Sequence, residues 1–168
     1  GGQHNIAIGN YTLDALTSGD GNIAIGNSAM GAATTAGSNT AIGYQALDAN
    51  TTGNINVAIG YDALGALTTA DANVAVGREA LASVTTGTRN TGLGTSAGMT
   101  ATDVNDNTSL GYAALKDNAA ASNTAVGSYA LTENTTGGDN TAVGHTSLYT
   151  NTTGAGNVAI GREALYYN

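Results

Sequence analysis

The chain contains no cysteine, no proline, no tryptophan and no phenylalanine among its 168 residues. Without cysteine there is no disulfide framework and no thiolate metal site, and the redox compartment stays open. Only four residues are basic against twelve acidic, a formal charge of −8, so phosphate backbones and anionic membrane surfaces are repelled and nucleic acid is excluded as a natural partner. No apolar run approaches the roughly 20 residues that cross a bilayer, and no membrane insertion is expected. The amino terminus "GGQHNIAIG" has neither a basic region nor a starting Met, so the chain is read as a segment of a longer array. Apolar residues still make up 41 % of the sequence, mostly Ala, Leu, Val and Ile, beside 25 glycines. That is too apolar for a disordered tail and too poor in large side chains for an ordinary globular core.

Self-comparison shows what organises the rest. The phrase N-x-x-x-G recurs with Asn at 5, 22, 39, 56, 73, 90, 107, 123, 140 and 157, a step of 17 with a single step of 16 after Asn107. These are Asn5, Asn22, Asn39, Asn56, Asn73, Asn90, Asn107, Asn123, Asn140 and Asn157. Four residues later stand Gly9, Gly26, Gly43, Gly60, Gly77, Gly94, Gly111, Gly127, Gly144 and Gly161. The residue after Asn is β-branched in all ten copies, the third is Ile, Val or Leu, and the small residue between them is Ala except at Gly92 and Ser109. Each phrase therefore predicts a short strand.

One strand per repeat with no hairpin signal between copies leaves parallel stacking. The expected fold is all-β: a parallel β-solenoid, or β-roll, of ten coils forming one domain over residues 1–168, with coils about 4.8 Å apart and the stack roughly 45 Å tall. Stacked Asn amides then satisfy one another, and the Gly column marks a turn with φ > 0 or a close backbone approach. An "xxAL" element follows, with Leu in eight copies, Met30 in one, and Gly98 in the sixth, where Met99 is positioned to compensate. It reads as a second short strand or one helical turn. "TTG" segments read as loops, and the one-residue deletion is placed between Ala121 and Ser122. A coil supplies only about three large apolar side chains against the ordering cost of 17 residues. Together with the Ala and Gly columns, this predicts self-association along the stack.

The phrase "NVAIGREA" at Asn157–Ala164, nearly repeated at Asn73–Ala80, resembles the head repeats of YadA-type trimeric autotransporter adhesins. The unit "NTAVGxxALxxNTTG", as at Asn123–Gly137, is similar to repeats of bacteriophage and giant-virus tail-fibre-like proteins. The resemblance covers the whole chain. It implies a left-handed roll, a homotrimer, an extracellular, cell-surface or virion location, and attachment to host glycans or proteins.

Several constellations compete with a purely structural reading. Asp62 and Glu79 share the column six after Asn in adjacent coils, near the separation of a glycan-cleaving carboxylate pair, but that column varies freely and no basic partner is expected to recur beside it. His4 and His145 lie eight coils apart and form no common site. Asp103, Asn105 and Asn107 mimic the start of a calcium loop but lack its glycine and terminal acid; no metal and no cofactor are expected. Tyr44, Tyr61 and Tyr112, five after Asn, form a possible binding surface for sugars or protein. Thr stands twelve after Asn in eight of nine complete copies, which resembles the faces of ice-binding solenoids, though without their Thr-x-Thr alternation. Asn10, Asn50, Asn107, Asn134 and Asn151 fit the glycosylation pattern N-x-[ST]. The balance favours a non-enzymatic, rigid fibre segment.

Overall fold

The computed structural model describes the whole chain, Gly1–Asn168. Ten three-residue strands are β1 Ile6–Ile8, β2 Ile23–Ile25, β3 Thr40–Ile42, β4 Val57–Ile59, β5 Val74–Val76, β6 Thr91–Leu93, β7 Thr108–Leu110, β8 Thr124–Val126, β9 Thr141–Val143 and β10 Val158–Ile160. They form one parallel sheet in sequence order. The register is exact by repeat position: Val57 opposes Val74, Ala58 opposes Ala75 and Ile59 opposes Val76. The fold is an all-β solenoid.

There is no helix and no second strand in any coil. The Leu of the "xxAL" element lies in the left-handed region, with φ between 47° and 53° at Leu13, Met30, Leu47, Leu64, Leu81, Leu115, Leu131, Leu148 and Leu165. So does the residue two before it, from Tyr11 to Glu163. A right-handed helical turn and an extended strand both require negative φ. The segment is instead a tight bend that drops Leu into the interior, and it is held by bonds to neighbouring coils such as Met30 N–H to Ala46 O at 3.0 Å and Leu47 N–H to Ala63 O at 3.0 Å. A third left-handed residue precedes each ladder Asn, for example Ser38, Ile55 and Ala72 at 58–59°.

The Gly column answers to a close approach and a positive φ at once. At Gly60, φ is +136° and a Cβ would sit 2.5 Å from the carbonyl oxygen of Gly77. Backbone of one coil rests on backbone of the next, leaving no room for a methyl group.

The strand's faces are assigned by size. The central Ala points inward and is 0–3 % exposed in β2, β3, β4, β5, β8, β9 and β10, whereas its two neighbours point outward and are only partly covered. A bulky residue at the central position would collide with the Leu that closes the interior from the opposite side. Leu47, Leu64, Leu81, Leu115, Leu131 and Leu148 are buried to 2 % or less.

The deletion lies earlier than the sequence suggests. Ser122 keeps the left-handed φ of 61° that belongs to the position before a ladder Asn. The Asn118 amide closes on the carbonyl of Ala120, two residues on, where Asn50 closes on Gly53, three residues on. The missing residue belongs to the Thr-Thr doublet between Asn118 and Ala120.

Candidate functional site

The ten asparagines form a single file, buried from Asn22 to Asn140 and partly covered at the two ends, Asn5 and Asn157. Each from Asn22 to Asn157 donates its backbone N–H to Oδ1 of the Asn one coil earlier, at 2.8–3.1 Å. In most coils Nδ2 donates to the same oxygen and to a carbonyl 14 residues ahead; for Asn56 these are Asn39 Oδ1 at 3.2 Å and Ala70 O at 2.8 Å. One side chain thus ties three coils, using both donors and its acceptor.

A second buried polar file was not foreseen. Asn134 Nδ2 reaches Asn118 Oδ1 at 2.6 Å, Asn151 Nδ2 reaches Asn134 Oδ1 at 3.1 Å, and Asn168 Nδ2 reaches Asn151 Oδ1 at 2.9 Å. The signal was present in the "NTTG" segments, whose Asn stands eleven after the ladder Asn of its own coil; Asn134 and Asn151 close the turn onto Gly137 and Gly154. It also decides the glycosylation pattern: Asn50, Asn107, Asn134 and Asn151 are buried, and only Asn10 is exposed.

The outer surfaces differ from one another. The strand face carries twenty outward positions, fifteen of them Ile, Val or Leu and five Thr, with no charged residue. Ile6, Ile8, Val76, Leu110, Val158 and Ile160 are among its exposed members.

Tyr44 and Tyr61 stack face to face, 5.5 Å between centroids and 8° from parallel, and the guanidinium of Arg78 lies 5.7 Å above Tyr61. Each of these two rings gives one face to the other, and both stay about half exposed. Tyr112 meets Tyr129 edge to face at 5.1 Å. Further along, Tyr149 stacks on Tyr166 at 5.1 Å, and Glu163, Tyr166 and Tyr167 line a shallow cavity of about 390 Å³.

The Thr column spends its hydroxyls on the stack. Thr17, Thr34, Thr51, Thr68 and Thr135 donate Oγ1 to the carbonyl of the equivalent Thr in the next coil at 2.7–3.3 Å.

Asp62 is pushed above the ordinary carboxylate range, first by burial, then by the charges of Glu79 and Asp48. Contrary to the sequence reading, basic partners do recur beside this column, five after Asn: Arg78 binds Glu79 at 2.7 Å and Arg162 binds Glu163 at 3.1 Å. His145 sits beside Thr146 and Tyr129 and has no contact with His4.

The calcium-like segment is committed to neighbouring coils. Asp103 accepts from the hydroxyls of Thr85 and Thr86, Asn105 Oδ1 from Thr88 N–H at 2.7 Å, and Asp106 pairs with Arg89 through two bonds of 2.7 and 2.9 Å. Those bonds hold Asp103 and Asp106 below the usual carboxylate range and raise the Arg89 guanidinium. No group of three or more His, Cys, Asp or Glu side chains is placed to hold a metal ion.

Compared with models of known families, with curated proteins and with solved structures, the chain matches none.

Proposed function

We propose that this chain is a non-enzymatic structural segment of an adhesive fibre, a rigid rod that associates side by side with further copies of itself, about an axis that runs along the stack. The observation that carries this reading is the strand face. In a chain of net charge −8, the twenty outward strand positions hold no charge and are dominated by β-branched side chains in register. A continuous uncharged strip about 45 Å long suits a partner with the same strip, because apolar burial there meets no like-charge repulsion. The occupant is a second copy of the chain. The resemblance to autotransporter heads and tail-fibre repeats supports three copies and a cell-surface or virion location. Attachment to a host glycan or protein then draws on many weak contacts repeated along several chains.

Sedimentation and light scattering test the reading. The chain is expected to run as a multimer, and Ile59→Lys with Val76→Lys is expected to yield a folded monomer with an unchanged circular-dichroism spectrum. A parent chain that is a compact monomer at high micromolar concentration overturns it.

A further inference from the structure

The solenoid is regular enough that one irregular level stands out, and three features fall on it. The apolar interior divides there: one cluster runs from Ala24 to Ala101 and a separate one from Ala114 to Ala159. Between them the inward positions are taken by Gly92, Gly98 and Ser109. Leu81 fills the space left in the sixth coil, its Cγ 2.8 Å from where a Gly92 Cβ would be and its Cδ2 2.6 Å from where one would be at Gly98. Met99 does not compensate; it is half-buried and outside the core.

The Asn file falters at the same level. Asn107 makes no Nδ2 bond to Asn90, and its Nδ2 is the one buried side-chain polar atom without a partner. The carbonyl that its register calls for, Ala120 O, is taken by Asn118 at 2.7 Å and Asn123 at 3.3 Å. This is the direct result of the missing residue, which draws Ala120 towards Asn118.

The Thr corner fails too. Thr85 N–H bonds Thr102 O at 3.0 Å, as in every earlier coil, but Thr102 N–H makes no such bond onward, and Ala119 N–H is redirected to Asn134 O at 3.2 Å. One coil earlier, by contrast, Thr85, Thr86, Thr88 and Arg89 clamp the fifth coil to Asp103, Asn105 and Asp106 of the sixth.

We infer that the rod consists of two cooperative blocks that part at the β6–β7 level, so that this seam opens before either block unravels. A stack with equal interfaces frays from its ends and is most protected in the middle. A seam inverts that profile at one level. The device gives a long stiff rod a fixed place to yield.

Amide hydrogen exchange on the full chain tests it. The expected result is a central minimum, with the amides that bond across the seam, Thr91, Gly98 and Thr100, exchanging at least tenfold faster than their equivalents Val57, Leu64 and Ala66 in one block and Thr124, Leu131 and Glu133 in the other. Inserting one threonine after Asn118, which restores the 17-residue step, is expected to slow exchange there at least tenfold. A smooth rise of protection to a central maximum overturns the inference, as does a folded insertion variant whose exchange at Thr91, Gly98 and Thr100 equals the parent's. If the insertion variant does not fold, the parent's profile decides alone.

Discussion

Asn73 sends both its backbone N–H and its side-chain Nδ2 to one acceptor, Oδ1 of Asn56, at 2.9 and 3.3 Å. A single oxygen therefore receives two donors from the next coil while the other end of the same amide holds Asn39 and Ala70. The link is cooperative in the plain sense that removing one amide leaves donors and acceptors unpaired in the coils on both sides.

Asn56→Ala is expected to destabilise the chain by about 2–4 kcal/mol, since it strands the Asn73 N–H and the Ala70 carbonyl in a buried site. Asn56→Asp is expected to be at least as harmful, because it removes the Nδ2 donor and buries a charge. Denaturant unfolding of the two variants against the parent checks both.

Gly60→Ala puts a methyl group 2.5 Å from the Gly77 carbonyl at a φ of +136°. Strain and overpacking together are expected to cost about 2–5 kcal/mol. Gly161→Ala, which has nothing within 4 Å of its Cβ position, retains only the conformational part and is expected to cost less. The difference between the two melting temperatures isolates the contact between coils.

Acid is expected to loosen the clamp between the fifth and sixth coils. Asp103 and Asp106 are held below the ordinary carboxylate range, so their contribution is complete above the unfolded pKa near 4 and is lost as pH falls through their depressed folded values. Melting temperature followed from pH 7 downward is expected to fall, and to fall less steeply in Asp103→Asn with Arg89→Gln.

Asp62 has the opposite sign. Its folded pKa is raised by burial and by Glu79 and Asp48, so its ionised form opposes folding above that value and the penalty lifts as the pH drops. Asp62→Asn is expected to raise the melting temperature at neutral pH and to have no effect once the carboxyl is protonated. Asn also suits the left-handed φ of 54° at this position.

Ile55 is β-branched, 65 % exposed, and held at a φ of +58°. Left-handed backbone costs such a residue about 1–2 kcal/mol, while Gly21 and Gly156 occupy the same column in other coils. Ile55→Gly is expected to stabilise the chain by about 0.5–1 kcal/mol in denaturant unfolding, after allowance for the added freedom of the unfolded glycine.

The stacking was legible because a 17-residue step with Asn and Gly at fixed positions admits one parallel arrangement, and the strand ranges followed from the β-branched residues after each Asn. The bend at Leu was not legible. Leucine in left-handed backbone contradicts its ordinary preference, and only the contact with the coils above and below makes that conformation tolerable. Alternation told that Val57 and Ile59 oppose Ala58, but not which side was inside; the narrow interior, which accepts an alanine and one leucine per level, settles that. Asn118, Asn134 and Asn151 passed as loop residues because their chemistry suits a turn equally well, and the file they form depends on the depth to which the turn is drawn in. The gap in the Thr doublet was placed two or three residues too late because Ala119, Ala120 and Ala121 are interchangeable as letters but not as hydrogen-bonding positions.

The single short coil shows what kind of change this architecture tolerates. Adding or removing a whole coil would leave every Asn, Gly and Leu facing its own kind, so overall reach can vary freely in units of one layer. A change of one residue instead disturbs the levels above and below and leaves an amide without an acceptor. Such a rod is in effect ruled like a measuring stick, readily cut at its marks and weakened wherever it is cut between them.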